Sequence, residues 1–169
     1  MRNLALIIDR LNRCIGTICA YSVLLLTFVV LLEVFSRRIL GEPTVWTFEL
    51  FIMIYGFHFM MTIPFGLLTK CHVNVDIVYN YFSERTKAIV DLCTFALFYF
   101  PFTIGVFVFS IPFARQSWAE SETSWSVWAP AVYPIKTVIP ITFGLIVLQG
   151  ISECIKRYYR IKDGGQANE

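Results

Sequence analysis

Charge is what this sequence has least of. Only 15% of its 169 residues are Asp, Glu, Lys or Arg, 57% are hydrophobic, and the mean hydropathy is +0.65. Soluble domains carry roughly 25% charged residues. The composition therefore excludes one and points to an all-α integral membrane protein whose solvent is the lipid bilayer. A net charge of +2 says little by itself, because its distribution matters more than its sum. Nothing here calls for a nucleic-acid partner.

Catalytic chemistry is missing too. The chain has no Gly-rich phosphate loop, no nucleophile–base pair and no cluster of metal ligands, so it reads as a non-enzyme without a cofactor. Its five cysteines form no CxxC and are expected as free thiols. Of its two histidines only His58 lies deep in an apolar run, whereas a haem-binding membrane subunit needs facing histidines, usually on two helices. The apolar runs lack period-two alternation, which excludes a β-barrel. A self-contained carrier usually shows internal repeats and polar groups clustered at mid-depth, and neither is present. The first apolar run is too long for a cleaved leader and no small-x-small site follows it, so it reads as a retained anchor.

What is there is four long apolar runs. Cys14–Leu32 and Leu92–Ala114 hold no charge, Leu50–Thr69 is interrupted only by His58, and Trp125–Ser152 holds only Lys136. A helical span needs about twenty apolar residues, and a central charge costs about 3 kcal/mol on insertion scales. One membrane domain with four transmembrane helices is expected, at approximately 14–34, 48–69, 90–113 and 131–153, followed by a disordered tail at 163–169. Ten Lys and Arg flank one side of these spans and three (Arg37, Arg38, Arg115) the other. That bias puts both termini in the cytoplasm. Trp118, Trp125, Trp128 and Tyr133 then form an outer aromatic belt.

Two short amphipathic pieces accompany the spans. Leu4, Ile8, Leu11 and Ile15 fall on one helical stripe, suited to the cytoplasmic surface of the membrane. Residues 74–82 read either as a second interfacial helix or as an ordinary loop. Ser83 is placed to cap the helix leading into the third span.

The candidate site residues are structural or partner-facing. Glu33 and Arg37 are four apart in the favourable order for a helical pair, beside Arg38. Glu49 opens the second span, where a capping role and a tertiary pair with Arg37 or Arg38 both stay open. For His58 a structural hydrogen bond is favoured over a proton relay. For Lys136, snorkelling or a local ion pair is favoured over a substrate role. His72 and Asp76, four apart, suggest a stabilised turn rather than a metal site, since two ligands are too few. Twenty-eight aromatic residues offer bulky contact faces, and Gly16 with Ala20 makes a small-xxx-small notch for helix association.

Three stretches carry a family resemblance. In EVFSRRILGEPTVWTFEL, Arg37, Gly41, Trp46 and Glu49 match an Arg, turn, Trp-x-x-Glu pattern. In GLLTKCHVNVDIV, His72, Val75 and Asp76 match His-x-x-Val-Asp. In APAVYPIKTVIPITFGL, Pro134 and Pro140 match a proline-marked entry to the last span. Over about residues 15–155 the chain resembles the DctQ-like small membrane subunit of tripartite ATP-independent periplasmic (TRAP) transporters, with YPIK leaning toward the sialic-acid branch. The resemblance implies a scaffold packed as a heterodimer against a large membrane subunit in the bacterial inner membrane. That subunit moves an organic acid with sodium, and a periplasmic substrate-binding protein delivers it. The competing classes are a self-contained homo-oligomeric transporter and a membrane anchor for a redox enzyme.

Overall fold

The computed structural model describes residues 2–69, 71 and 82–162. Helix α1 (Arg2–Ala20) and α2 (Ser22–Phe35) meet at Tyr21 and end in a π-helical turn, Ser36–Leu40. Helix α3 is Thr47–Leu68. Helix α4 (Glu84–Thr94) passes through a second π-helical turn, Phe95–Tyr99, into α5 (Phe100–Ala119). Helix α6 is Tyr133–Lys162. Four helical stretches are long and apolar enough to cross a membrane: Asn3–Leu40, Thr47–Leu68, Thr86–Ala119 and Tyr133–Tyr159. Two outrun their expected spans considerably. At about 1.5 Å per residue, a 38-residue stretch reaches about 57 Å, well past a hydrocarbon core of about 30 Å.

Local sequence explains the breaks. Ser83 caps α4 by accepting a hydrogen bond from the Thr86 backbone N–H, as its position suggested. The second π turn ends two residues before Pro101, which lacks the N–H that would continue an ordinary ladder. After the first π turn the chain reverses at Gly41, whose φ of +74° is a left-handed conformation that favours glycine. Ser36 closes this reversal by donating to the Glu42 carbonyl at 2.6 Å.

Helix α6 is the hub. It packs against α5 on one side, α1 and α3 on another, and α4 near its C-terminal end, whereas the extensive contact of α5 is with α6 alone. Side-chain distribution is inverted relative to a soluble protein. Among the described residues, the largest fully buried side chains include Gln149, Asn12, Thr47, Thr142, Ser117 and Ser152, while Phe, Leu and Ile dominate the exposed surface. This suits lipid, where helices associate through close packing and hydrogen bonds rather than water exclusion.

Helix α1 packs by a different face from the Leu4–Leu11 stripe. Leu4 and Leu11 are exposed, and the packed face is Ala5, Ile8, Asn12, Gly16 and Cys19. The polar and small residues turn inward because hydrogen-bond partners and close contacts are there. Gly16 is also not free for an outside helix. A Cβ at this position would lie 2.4 Å from Cβ of Phe65, so the small residue serves the α1–α3 contact within the chain, while Ala20 is exposed. The interfacial helix or loop expected at 74–82, Phe82 apart, and the disordered tail expected at 163–169 lie outside the described residues.

Candidate functional site

Polar side chains gather at the two ends of the helices. The end carrying residues 41–46 and 120–132 is here the loop end; the end carrying Asp9, Asp91 and Arg157 is the terminal end.

At the loop end, Arg37 Nη2 lies 2.8 Å from Glu33 Oε1, one turn away on the same helix. The other oxygen of Glu33 accepts from the Thr44 backbone N–H at 3.3 Å and from the Thr44 hydroxyl, which also touches Thr47. One carboxylate thus pins the chain leaving α2 to the start of α3. Glu49 joins no ion pair among the described residues; its Oε2 is buried without a hydrogen-bond partner among them. The tertiary pair with Arg37 is not made because Glu33, four residues away, holds that guanidinium. Arg38 is exposed, with no partner among the described residues. Trp46 precedes α3 without a side-chain cap.

The second loop-end cluster belongs to the α5–α6 connection. Lys136 Nζ donates to Glu122 Oε1 at 2.6 Å and sits 4.5 Å from the centre of the Phe113 ring. Ser117 donates to Glu122 Oε2 at 2.6 Å. The Lys136 ammonium, then the Ser117 hydroxyl, hold the Glu122 carboxyl below the usual glutamate range. The loop folds back on itself, with Val132 N–H donating to the Glu122 carbonyl and Ser124 N–H to the Pro130 carbonyl, both at 2.9 Å. Ser121 and Ala129 take left-handed φ values of 48° and 46°, a conformation that costs free energy in residues other than glycine. Trp118 packs on Tyr133 at 4.4 Å and donates to Thr137.

The terminal end holds a network that spacing alone did not reveal. Asn12 donates to Gln149 Oε1 at 2.7 Å, Gln149 to Asp9 Oδ1 at 3.0 Å, and Ser152 to the same Asp9 oxygen at 2.7 Å. Lys156 bridges Asp9 at 2.8 Å and Glu153 at 2.7 Å. Arg157 bridges Glu153 at 3.2 Å and Asp91 at 2.8 Å, with its guanidinium 4.6 Å from the Phe95 ring centre. Three segments, α1, α4 and α6, are therefore tied by one chain of charge-assisted bonds. The available signal was a polar stripe at 149, 152, 153 and 156 on an otherwise apolar helix, matched by Asp9 and Asn12 three apart.

Mid-depth polarity is confined to small motifs. His58 Nδ1 lies 3.0 Å from the Cys19 carbonyl and 2.9 Å from Ser22 Oγ. An apolar cleft of about 460 Å³ opens beside it, lined by Ser22, Leu25, Met53, Phe57, Ile135 and Val138 among others. No residue in its lining is charged, so it lacks the group that would recognise an organic anion. Among the described residues no three His, Cys, Asp or Glu side chains come together as a metal site, and all five thiols are free. His72 and Asp76 lie outside the described residues.

Compared with known protein families, residues 26–159 match the family model described as tripartite ATP-independent periplasmic transporters, DctQ component. No curated protein matches the chain.

Proposed function

This chain belongs to the DctQ-component family of tripartite ATP-independent periplasmic transporters, and on that premise we propose that it is the scaffold half of a heterodimer with a large membrane subunit. It is a multi-pass protein of the inner membrane and not an enzyme. Its family implies two partners, a large membrane subunit and a periplasmic substrate-binding protein. In the proposed assembly the large subunit moves an organic acid with sodium, and the YPIK segment (133–136) points to sialic acid as that acid. The small subunit widens the stationary part of the membrane assembly, with Glu33, Arg37, Arg38, Trp46, Glu49, His58, His72, Asp76 and Lys136 as structural or partner-facing residues.

The observation that carries this reading is where the polar groups go. Asp9, Asp91, Glu153, Lys156 and Arg157 bond to one another, as do Glu122 and Lys136. They hold helices together, and among the described residues they form no line of free polar groups from one end to the other. Such a chain suits anchoring and packing rather than solute passage. Both termini are assigned to the cytoplasm on the ten-to-three Lys and Arg bias.

Reconstitution tests the proposal. Liposomes holding this chain alone, supplied with the periplasmic protein and a sodium gradient, should take up no solute. Addition of the large subunit should restore uptake. Uptake by this chain alone would make it a self-contained carrier. Reporter fusions at Glu169 and near Glu120 should report opposite sides of the membrane, with the terminal fusion cytoplasmic.

A further inference from the structure

The hydrogen bonds of His58 fix its tautomer. A carbonyl oxygen only accepts, so the 3.0 Å contact of Nδ1 with the Cys19 carbonyl requires a proton on Nδ1. Ser22 agrees: its hydroxyl proton is given to the same Cys19 carbonyl at 2.6 Å, so its oxygen receives from Nδ1 rather than donating to it. In the neutral imidazole Nε2 is then a bare acceptor. No described residue reaches Nε2, and it is not buried within the chain.

His58 lies near the middle of α3 (Thr47–Leu68), about 15 Å from either end. Lipid headgroups do not reach that depth and acyl chains carry no donor. Exposed acceptors at membrane depth are satisfied by protein or by trapped water. One turn away, the Tyr55 hydroxyl also has no partner among the described residues, and neither has that of Tyr21, beside Ser22 at the α1–α2 junction. Around them Phe51, Tyr55 and Phe59 stack at 6.1 and 6.2 Å between centroids, and Phe48, Ile52, Tyr55 and Phe59 are exposed along one stripe. The α5 surface differs. It exposes Phe102, Phe109 and Phe113, yet the hydroxyls of Thr103, Ser110 and Ser117 are all spent within the chain. Those three side chains are buried, and every exposed residue from Pro101 to Phe113 is apolar, so the outer surface offers no polar group to a neighbour and suits lipid.

Resting on the function proposed above, we infer that the seam between α2 and α3 is where the large subunit docks, through a transmembrane helix that presents a hydrogen-bond donor to His58 Nε2. The aromatic stripe of α3 supplies the contact area and the free hydroxyls of Tyr55 and Tyr21 supply further polar contacts.

Photocrosslinking in membranes containing both subunits tests this. p-Benzoylphenylalanine replacing Phe59 should give an adduct with the large subunit, and the same replacement of Phe109, which is 77% exposed on α5, should not. Tyr55→Phe leaves every hydrogen bond among the described residues intact and should lower recovery of the large subunit from mild detergent about threefold; His58→Leu should lower it about tenfold. Adducts from position 109 and not 59, with the large subunit still co-purifying, would overturn the docking surface alone. Failure of the wild-type chain to recover any large membrane protein would overturn the proposed function, and this surface with it.

Discussion

The two ends of the molecule use the same residue types for different work. At the loop end, pairs are local: Glu33 holds Arg37 four residues away, and Glu122 holds Lys136 fourteen away. Each shapes one connection. At the terminal end, Lys156 reaches Asp9 across 147 positions and Arg157 reaches Asp91 across 66. These bonds close the arrangement by tying α1 and α4 to α6. The difference teaches that charge at a helix mouth is no single feature. Local pairs set turns; long-range pairs decide which helices are neighbours.

Burial sharpens the contrast and ranks its tests. Arg157 and its partners Asp91 and Glu153 are mostly withdrawn from solvent, with side-chain exposures of 21%, 27% and 7%. Arg157→Met strands two partly buried carboxylates, which should cost on the order of 3 kcal/mol and show as a lower thermal midpoint in detergent. A double-mutant cycle of Arg157 and Asp91 should show coupling; additive effects would mean that the network does not close the fold. Gly16→Ala comes next. Its new Cβ meets Phe65, and overpacking of this kind costs about 1–3 kcal/mol. Phe65→Ala should not rescue it, because the nearest atom is Cβ of Phe65 itself.

At the loop end the expected effects are smaller. Arg37 is 63% exposed, so Arg37→Ala should change stability by no more than about 0.5 kcal/mol. The smallest effect is on pH. Because Lys136 and Ser117 lower the Glu122 pKa, the bond's contribution is complete above the usual glutamate range and is lost as pH falls through the lowered value. Hydrogen exchange in residues 120–132 should rise only under such acid conditions, and Lys136→Met should remove that dependence. A loop that opens at neutral pH in the wild type would show that Glu122 does not anchor it.

Much of this was legible in the sequence, for reasons that separate the two ends. Run length gave the four spans, because the bilayer imposes a minimum of about twenty apolar residues. Four-residue spacing gave Glu33 with Arg37, and Ser83 declared itself as a cap. Lys136 near a span end gave its ion pair in outline, though not Glu122 as the partner. The terminal network stayed hidden because its partners are far apart in sequence and meet only once α1, α4 and α6 pack. The stripe of α1 was legible from its spacing, but the opposite, packed face was not, because it is built from polar and small residues whose partners lie on distant helices. In lipid, Asn12 and Gly16 pack and Leu4 and Leu11 face out. The partner contact of Glu49 stayed undecided, since spacing within one helix does not show whether a residue on the next helix also reaches Arg37 or Arg38.

The scaffold role and the terminal network meet in one experiment: sodium-driven uptake by the complete transporter, normalised to assembled complexes, with wild-type chain or Arg157→Met. If the charges of this chain serve packing, the variant should lower the number of complexes and leave the KM for solute unchanged in those that form. A several-fold change in KM at undiminished assembly would mean that the network acts on the solute pathway, and would contradict the scaffold account.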